Sequence, residues 1–124
     1  MMTKTYHLTT TAEISFWQAL RETEKKWGHA RAEKYRLDFL AGLQDIADNH
    51  RTFHSPHRAA LAEGTPFSLH LVEHRYVVFQ AMDENTIIIS GIFHENMDIP
   101  TRLKELQKLG KHEIAALQRR ILPQ

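Results

Sequence analysis

The sequence predicts an α+β domain: an N-terminal strand, an antiparallel helical hairpin packed on a mostly antiparallel four-stranded sheet, and a C-terminal helical extension. Three observations predict it. Two stretches, 11–27 and 29–49, carry apolar residues at helical spacing and are separated only by Gly28. Three apolar runs follow one another between Phe67 and Phe93, with short polar turns between them. A further helical period begins after Pro100. Helices gathered first and strands gathered later favour segregated layers over an alternating parallel fold.

In Lys4-Thr5-Tyr6-His7-Leu8, Tyr6 and Leu8 share one face, which suits a short strand, and Thr9-Thr10-Thr11 stops it. Thr10 with Glu13 three residues on reads as a capping box, so a helix is expected from Thr11. Its stripe runs through Ala12, Phe16, Trp17 and Leu20 to Trp27, which assigns both tryptophans to the core, and Gly28 is the expected C-cap. So short a joint makes the next helix, 29–49, an antiparallel neighbour; its stripe is Ala32, Tyr35, Phe39, Leu40, Leu43, Ile46 and Ala47. Gly42 weakens that helix by about 1 kcal/mol relative to alanine and suggests a close helix crossing.

Asn49 to Pro66 reads as a long connection with at most a turn of helix at Arg58–Ala62. Phe67, Leu69 and Leu71 alternate with polar neighbours, whereas Arg75–Met82 and Thr86–Phe93 are nearly continuous apolar runs around the turn Asp83-Glu84-Asn85. An antiparallel meander follows, with the last two strands central. Beyond Pro100, Leu103, Leu106, Ile114, Leu117 and Ile121 trace a helical stripe interrupted at Gly110-Lys111, as one bent helix or two short ones. Residues 1–100 form the main domain and 101–124 a C-terminal helical extension of it.

With 124 residues the chain is long enough to bury a core, and with no cysteine it has no disulfide, thiol nucleophile or cysteine zinc site. No apolar run approaches a membrane span and no signal-peptide core opens the chain, so a cytoplasmic protein is expected. Sixteen Lys and Arg against 15 Asp and Glu give a net charge of +1, too little to coat a nucleic acid duplex through many phosphate contacts. Among the nine histidines, only His50 and His54 of the set His50, His54 and His57 have helical ligand spacing, without a nearby carboxylate; no metal site or cofactor is expected.

The richest segment for function is Thr86–Asp98, where a β-branched run ends directly in His94-Glu95-Asn96-Met97-Asp98. A strand so placed delivers an imidazole, a thioether and a carboxylate to one sheet end. Each residue also has a structural reading. His94 can hydrogen-bond to Asp98 and fix the turn before Pro100, Met97 fits as a core plug, and Arg75 suits an ion-paired strand-edge arginine as well as an anion ligand.

Several of these segments, in this order, resemble the RelE/ParE superfamily of toxins from bacterial type II toxin–antitoxin modules, over roughly residues 1–100. Tyr6-His7-Leu8-Thr9 with Ala12-Glu13 is similar to the opening strand and helix start, and Trp27-Gly28 with Ala30, Ala32-Glu33 and Tyr35 to the hairpin turn. His74-Arg75-Tyr76-Val77-Val78-Phe79 resembles the central strand. Ile92-Phe93-His94-Glu95-Asn96-Met97-Asp98 with Leu103 resembles the closing strand of ParE-like, plasmid-stabilising members.

The ParE-like resemblance implies growth inhibition by binding DNA gyrase, without a catalysed reaction, and neutralisation by a protein antitoxin. Arg75, His94, Met97 and Asp98 would then be target or antitoxin contacts. Glu73-His74-Arg75 and His94 also resemble the arginine and histidine positions of RelE-like ribonucleases, which cut mRNA on the ribosome. In that reading Arg75, His94 and Glu73, or Glu63, would supply the cation, proton donor and base. Glu95 stands where those ribonucleases carry a tyrosine, and a carboxylate there opposes RNA phosphate; Gln80 replaces the tyrosine that usually ends the central strand of ParE-like members. A non-toxic, degenerate binding module is the third reading. The C-terminal leucine stripe is expected to pack on its own domain, with a homodimer seam or cover of the antitoxin groove as the alternative.

Overall fold

A computed structural model describes residues 4–52 and 55–121. The elements run β1 (Thr5–Leu8), α1 (Thr10–Trp27), α2 (His29–Asn49), α3 (Pro56–Leu61), β2 (Ser68–Val72), β3 (Arg75–Ala81), β4 (Thr86–His94), α4 (Ile99–Leu109) and α5 (Lys111–Ile121). The four strands form one sheet in the order β1-β4-β3-β2. β2, β3 and β4 are the antiparallel meander, and β1 joins the free side of β4 in parallel, Tyr6 opposite Ile87. The two most apolar strands are therefore central, as their composition requires.

α1 starts one residue earlier than the capping box places it. Thr9 holds an extended backbone and its hydroxyl accepts the Ala12 N–H, which sets the cap on Thr9 and leaves no acidic side chain at the reciprocal position. The same hydroxyl donates to the Ser90 carbonyl at 3.3 Å, and the Thr9 N–H to the Ile89 carbonyl at 3.0 Å. Helix initiation is thus fastened to β4. Gly28 alone joins α1 to α2; at φ 92° it is a backbone shape that favours glycine.

The sheet is covered on both faces. On one, Phe16 and Leu20 of α1 and Phe39, Leu43 and Ile46 of α2 pack on Val77, Phe79, Ile87, Ile89 and Ile92. On the other, Ile99, Leu103 and Leu106 of α4, with Ala62, Phe67 and Leu69, pack on Val78. The leucine stripe of α4 is therefore occupied by the chain's own sheet, and α4 and α5 are two helices parted at Gly110. Glu113 at the start of α5 accepts both the backbone N–H (3.2 Å) and the hydroxyl (3.0 and 3.1 Å) of Thr11, tying α5 to the opening of α1. The short helix expected at Arg58–Ala62 begins at Pro56, where Ser55 caps it through the Arg58 N–H.

Three packing expectations are corrected. Trp17 and Trp27 are 56% and 66% exposed, because the buried stripe of α1 is Ala12, Phe16, Ala19 and Leu20, and the tryptophans flank it. Gly42 faces Val72 of β2 rather than another helix: a Cβ there would lie 2.5 Å from Val72 Cγ1, so this glycine sets how near α2 lies to the sheet. Met97 is 42% exposed and plugs no core.

Candidate functional site: a cleft between the first helix and the sheet end

A β-bulge decides which side chains reach the site. Val78 pairs with Gly91 but Phe79 with Ile89, so Ser90 is a surplus residue in β4. Before the bulge Ile87 and Ile89 face the helical hairpin; after it Ile92 does, and with it His94. His94 is the cross-strand partner of Arg75, so both belong to the hairpin side at the same sheet end. Had Ser90 instead been paired as an ordinary ladder residue, strict alternation from Ile89 would have carried His94 to the opposite face.

These two residues border a cleft of about 440 Å³. One wall is α1, whose Ser15, Gln18, Ala19 and Glu22 recur at helical spacing. The floor includes Ile92, and Met97 and Arg102 close the far side. Arg75 is the best-held polar group in it. Its Nε donates to the Tyr35 hydroxyl at 3.1 Å and its Nη2 to Glu22 Oε2 at 3.0 Å. Burial pushes the Tyr35 phenol above the ordinary tyrosine value, against an opposing pull from Arg75, so at neutral pH it is an uncharged acceptor for the guanidinium. Tyr35 in turn stacks on Phe39, ring centroids 5.7 Å apart, which fixes the phenol from the core side.

His94 does not bond to Asp98. Its Nδ1 accepts the Asn96 N–H at 3.2 Å, which leaves the proton of the neutral ring on Nε2 as a donor. Asp98 instead caps α4, accepting the Thr101 hydroxyl at 2.8 Å and the Thr101 N–H at 3.4 Å. Glu73 is not part of the cleft lining; it sits in the β2–β3 turn with His74, at φ 47° and 65°. Glu95 is also outside the lining and pairs with His74 at 3.2 Å. Glu63 lies at the α3 end of the molecule, in the wall of a separate hollow of about 370 Å³. The structure therefore brings Arg75, His94 and Met97 together, and leaves Glu63, Glu73 and Asp98 outside.

Glu22, Tyr35 and Arg102 were not singled out by the sequence as site residues. A signal existed for the first: Ser15, Gln18 and Glu22 form a polar row beside Ala19, the small residue where a helix wall can approach a sheet. His50 makes a ring contact with the Glu84 carbonyl at 3.3 Å, His54 and the side chain of Ile121 lie outside the described residues, and no metal-holding cluster occurs among the described residues.

The fold and the sequence motifs have counterparts. No family model matches the chain. A curated relative, toxin ParE of Escherichia coli, is 28% identical over 104 residues, which cover 83% of this chain and 96% of the relative. A solved chain from the chromosomal ParDE TA system of P. aeruginosa superposes with a TM-score of 0.61 at 14% identity, over 74% of this chain and 96% of that one. At that identity the superposition speaks for the fold alone. In fold, this α+β chain is similar to a chain of a ParDE toxin–antitoxin system. In sequence it is similar to the ParE toxin.

Proposed function

We propose that this chain is the toxin component of a type II toxin–antitoxin module: a growth inhibitor that acts, like ParE, by binding DNA gyrase and is neutralised by a protein antitoxin. The observation that carries this reading is the match to toxin ParE over 96% of that protein's length. The cleft supports binding rather than chemistry. Its charged groups are already engaged, Arg75 with Glu22 and Arg102 with Glu105, and the carboxylates considered as general bases, Glu63 and Glu73, are not in its lining. Arg75, His94 and Met97 then act as contact residues, and Asp98 as the cap that holds α4 beside them. No described helix is long and apolar enough to cross a membrane, which accords with action in the cytoplasm.

A second reading, a ribosome-dependent mRNA endoribonuclease, is favoured by one observation: Arg75 and His94 are direct cross-strand partners. The two readings separate on induction of the chain alone. Gyrase inhibition predicts growth arrest with altered plasmid supercoiling, DNA-damage signalling and intact messages. A ribonuclease predicts translation arrest and cut messages, abolished by Arg75→Ala or His94→Ala. Normal growth with neither signature overturns the toxin assignment and leaves a binding module.

A further inference from the structure

We propose that the cleft is a socket for an acidic side chain on an apolar peptide segment of the antitoxin, and that Glu22 is a resident stand-in which that side chain displaces from Arg75. The kind of partner rests on the toxin–antitoxin reading; the exchange of one carboxylate for another rests on the geometry.

The two halves of the Arg75–Glu22 pair are unequal. Arg75 is 17% exposed and Glu22 69%. A cation withdrawn from water needs an anionic partner, whereas an exposed carboxylate gives up little when it swings back into solvent. Arg75 is also held from behind by Tyr35, so the guanidinium stays aimed while its anion changes. Arg102, also in the cleft lining, is paired to Glu105 one turn along its own helix, at 3.3 Å with both groups half exposed. His94 adds a donor at the rim. The arriving group is therefore met by donors on several sides, which is the recognition chemistry of a carboxylate or a phosphate.

Two features favour a peptide over an RNA strand. Ala19, Ile92 and Met97 give the cleft an apolar component that accepts aliphatic side chains beside the charge. Glu73 and Glu95 flank the same sheet end and the chain carries a net charge of only +1, which opposes a run of phosphates but not a single carboxylate.

The test is a titration of the full-length chain, following the Arg75 Nε–H signal by nitrogen-15 NMR. The probes are acetyl-Leu-Glu-Leu-amide, its glutamine counterpart, inorganic phosphate and hexauridylate. The acidic peptide is expected to move the Arg75 signal, and the glutamine peptide to bind more weakly. Glu22→Gln, at a site exposed enough to spare the fold, is expected to tighten the acidic peptide by about two- to fivefold, the range of a solvent-exposed ion pair. Equal binding of the two peptides, unchanged affinity in Glu22→Gln, or phosphate binding as tight as the peptide overturns the proposal. Tighter binding of hexauridylate at Arg75 also overturns it and assigns the cleft to RNA. A positive titration with normal growth on induction keeps the socket and removes the toxin reading, so the two failures are distinguishable.

Discussion

At the scale of single residues, burial acts on one titratable group that composition does not set apart. Of the nine histidines, His70 on β2 is held below the ordinary imidazole value by burial, with the Arg58 charge adding to the effect and Asp45 opposing it. The fold thus favours the neutral ring. The stability this supplies is complete above the unfolded value of about 6.5 and fades as pH falls through that value toward the lower one of the folded state. Urea midpoints at pH 7.5 and 5.5 should fall more for the wild type than for His70→Gln; equal falls would show that another group carries the acid sensitivity. The residue scale is also where sequence reading was least complete. Arg75 and His94 could be named from motif and strand position, but their partners could not. Glu22 is 53 positions from Arg75 and Tyr35 is 40, and only the folded hairpin brings them to one guanidinium. The tryptophans show the converse error. A helical stripe is about 100° wide, and Trp17 and Trp27 fit its edge in sequence while the small Ala19 takes the buried place.

At the scale of elements, the β2–β3 hairpin turns on two residues, Glu73 and His74, both with positive φ although neither is glycine. Left-handed backbone of this kind suits Asn-Gly, and non-glycine residues there are strained. The compensating His74–Glu95 pair is largely exposed and so worth little. Replacing Glu73-His74 by Asn-Gly is therefore expected to stabilise the chain by about 1 kcal/mol, read as a higher urea midpoint; a lower midpoint would mean that the ion pair outweighs the strain. Helices and strands were legible because their periods are long and uninterrupted. The start of α1 was misplaced by one residue because three successive threonines offer the same cap, and what selects Thr9 is a carbonyl on β4, 81 positions away.

At the scale of the whole molecule, the α+β class and the meander were readable from the order of elements, and the tail packs on its own domain as expected, although which sheet face it takes was not assigned in advance. A leucine stripe at the end of a chain looks alike whether it packs at home or on a partner. Here Leu103 is fully buried against the sheet face opposite the helical hairpin. Leu103→Ala should cost about 2–5 kcal/mol in equilibrium unfolding, with the change present at the lowest protein concentration; a loss that disappears on dilution would instead mark a seam between copies. β1 closing beside β4 is likewise a tertiary outcome, since a four-residue strand carries no signal for which edge it will join.

Ser90 lies in the molecular interior, where the ladder passes from the Phe79–Ile89 pair to the Val78–Gly91 pair around it. Because its two neighbours already sit opposite consecutive residues of β3, loss of that one codon would join them in an unbroken ladder and keep His94 opposite Arg75. Loss of the Phe93 codon would instead turn the imidazole to the other surface. The gene therefore absorbs a shortening at one place in this buried strand and not at its end.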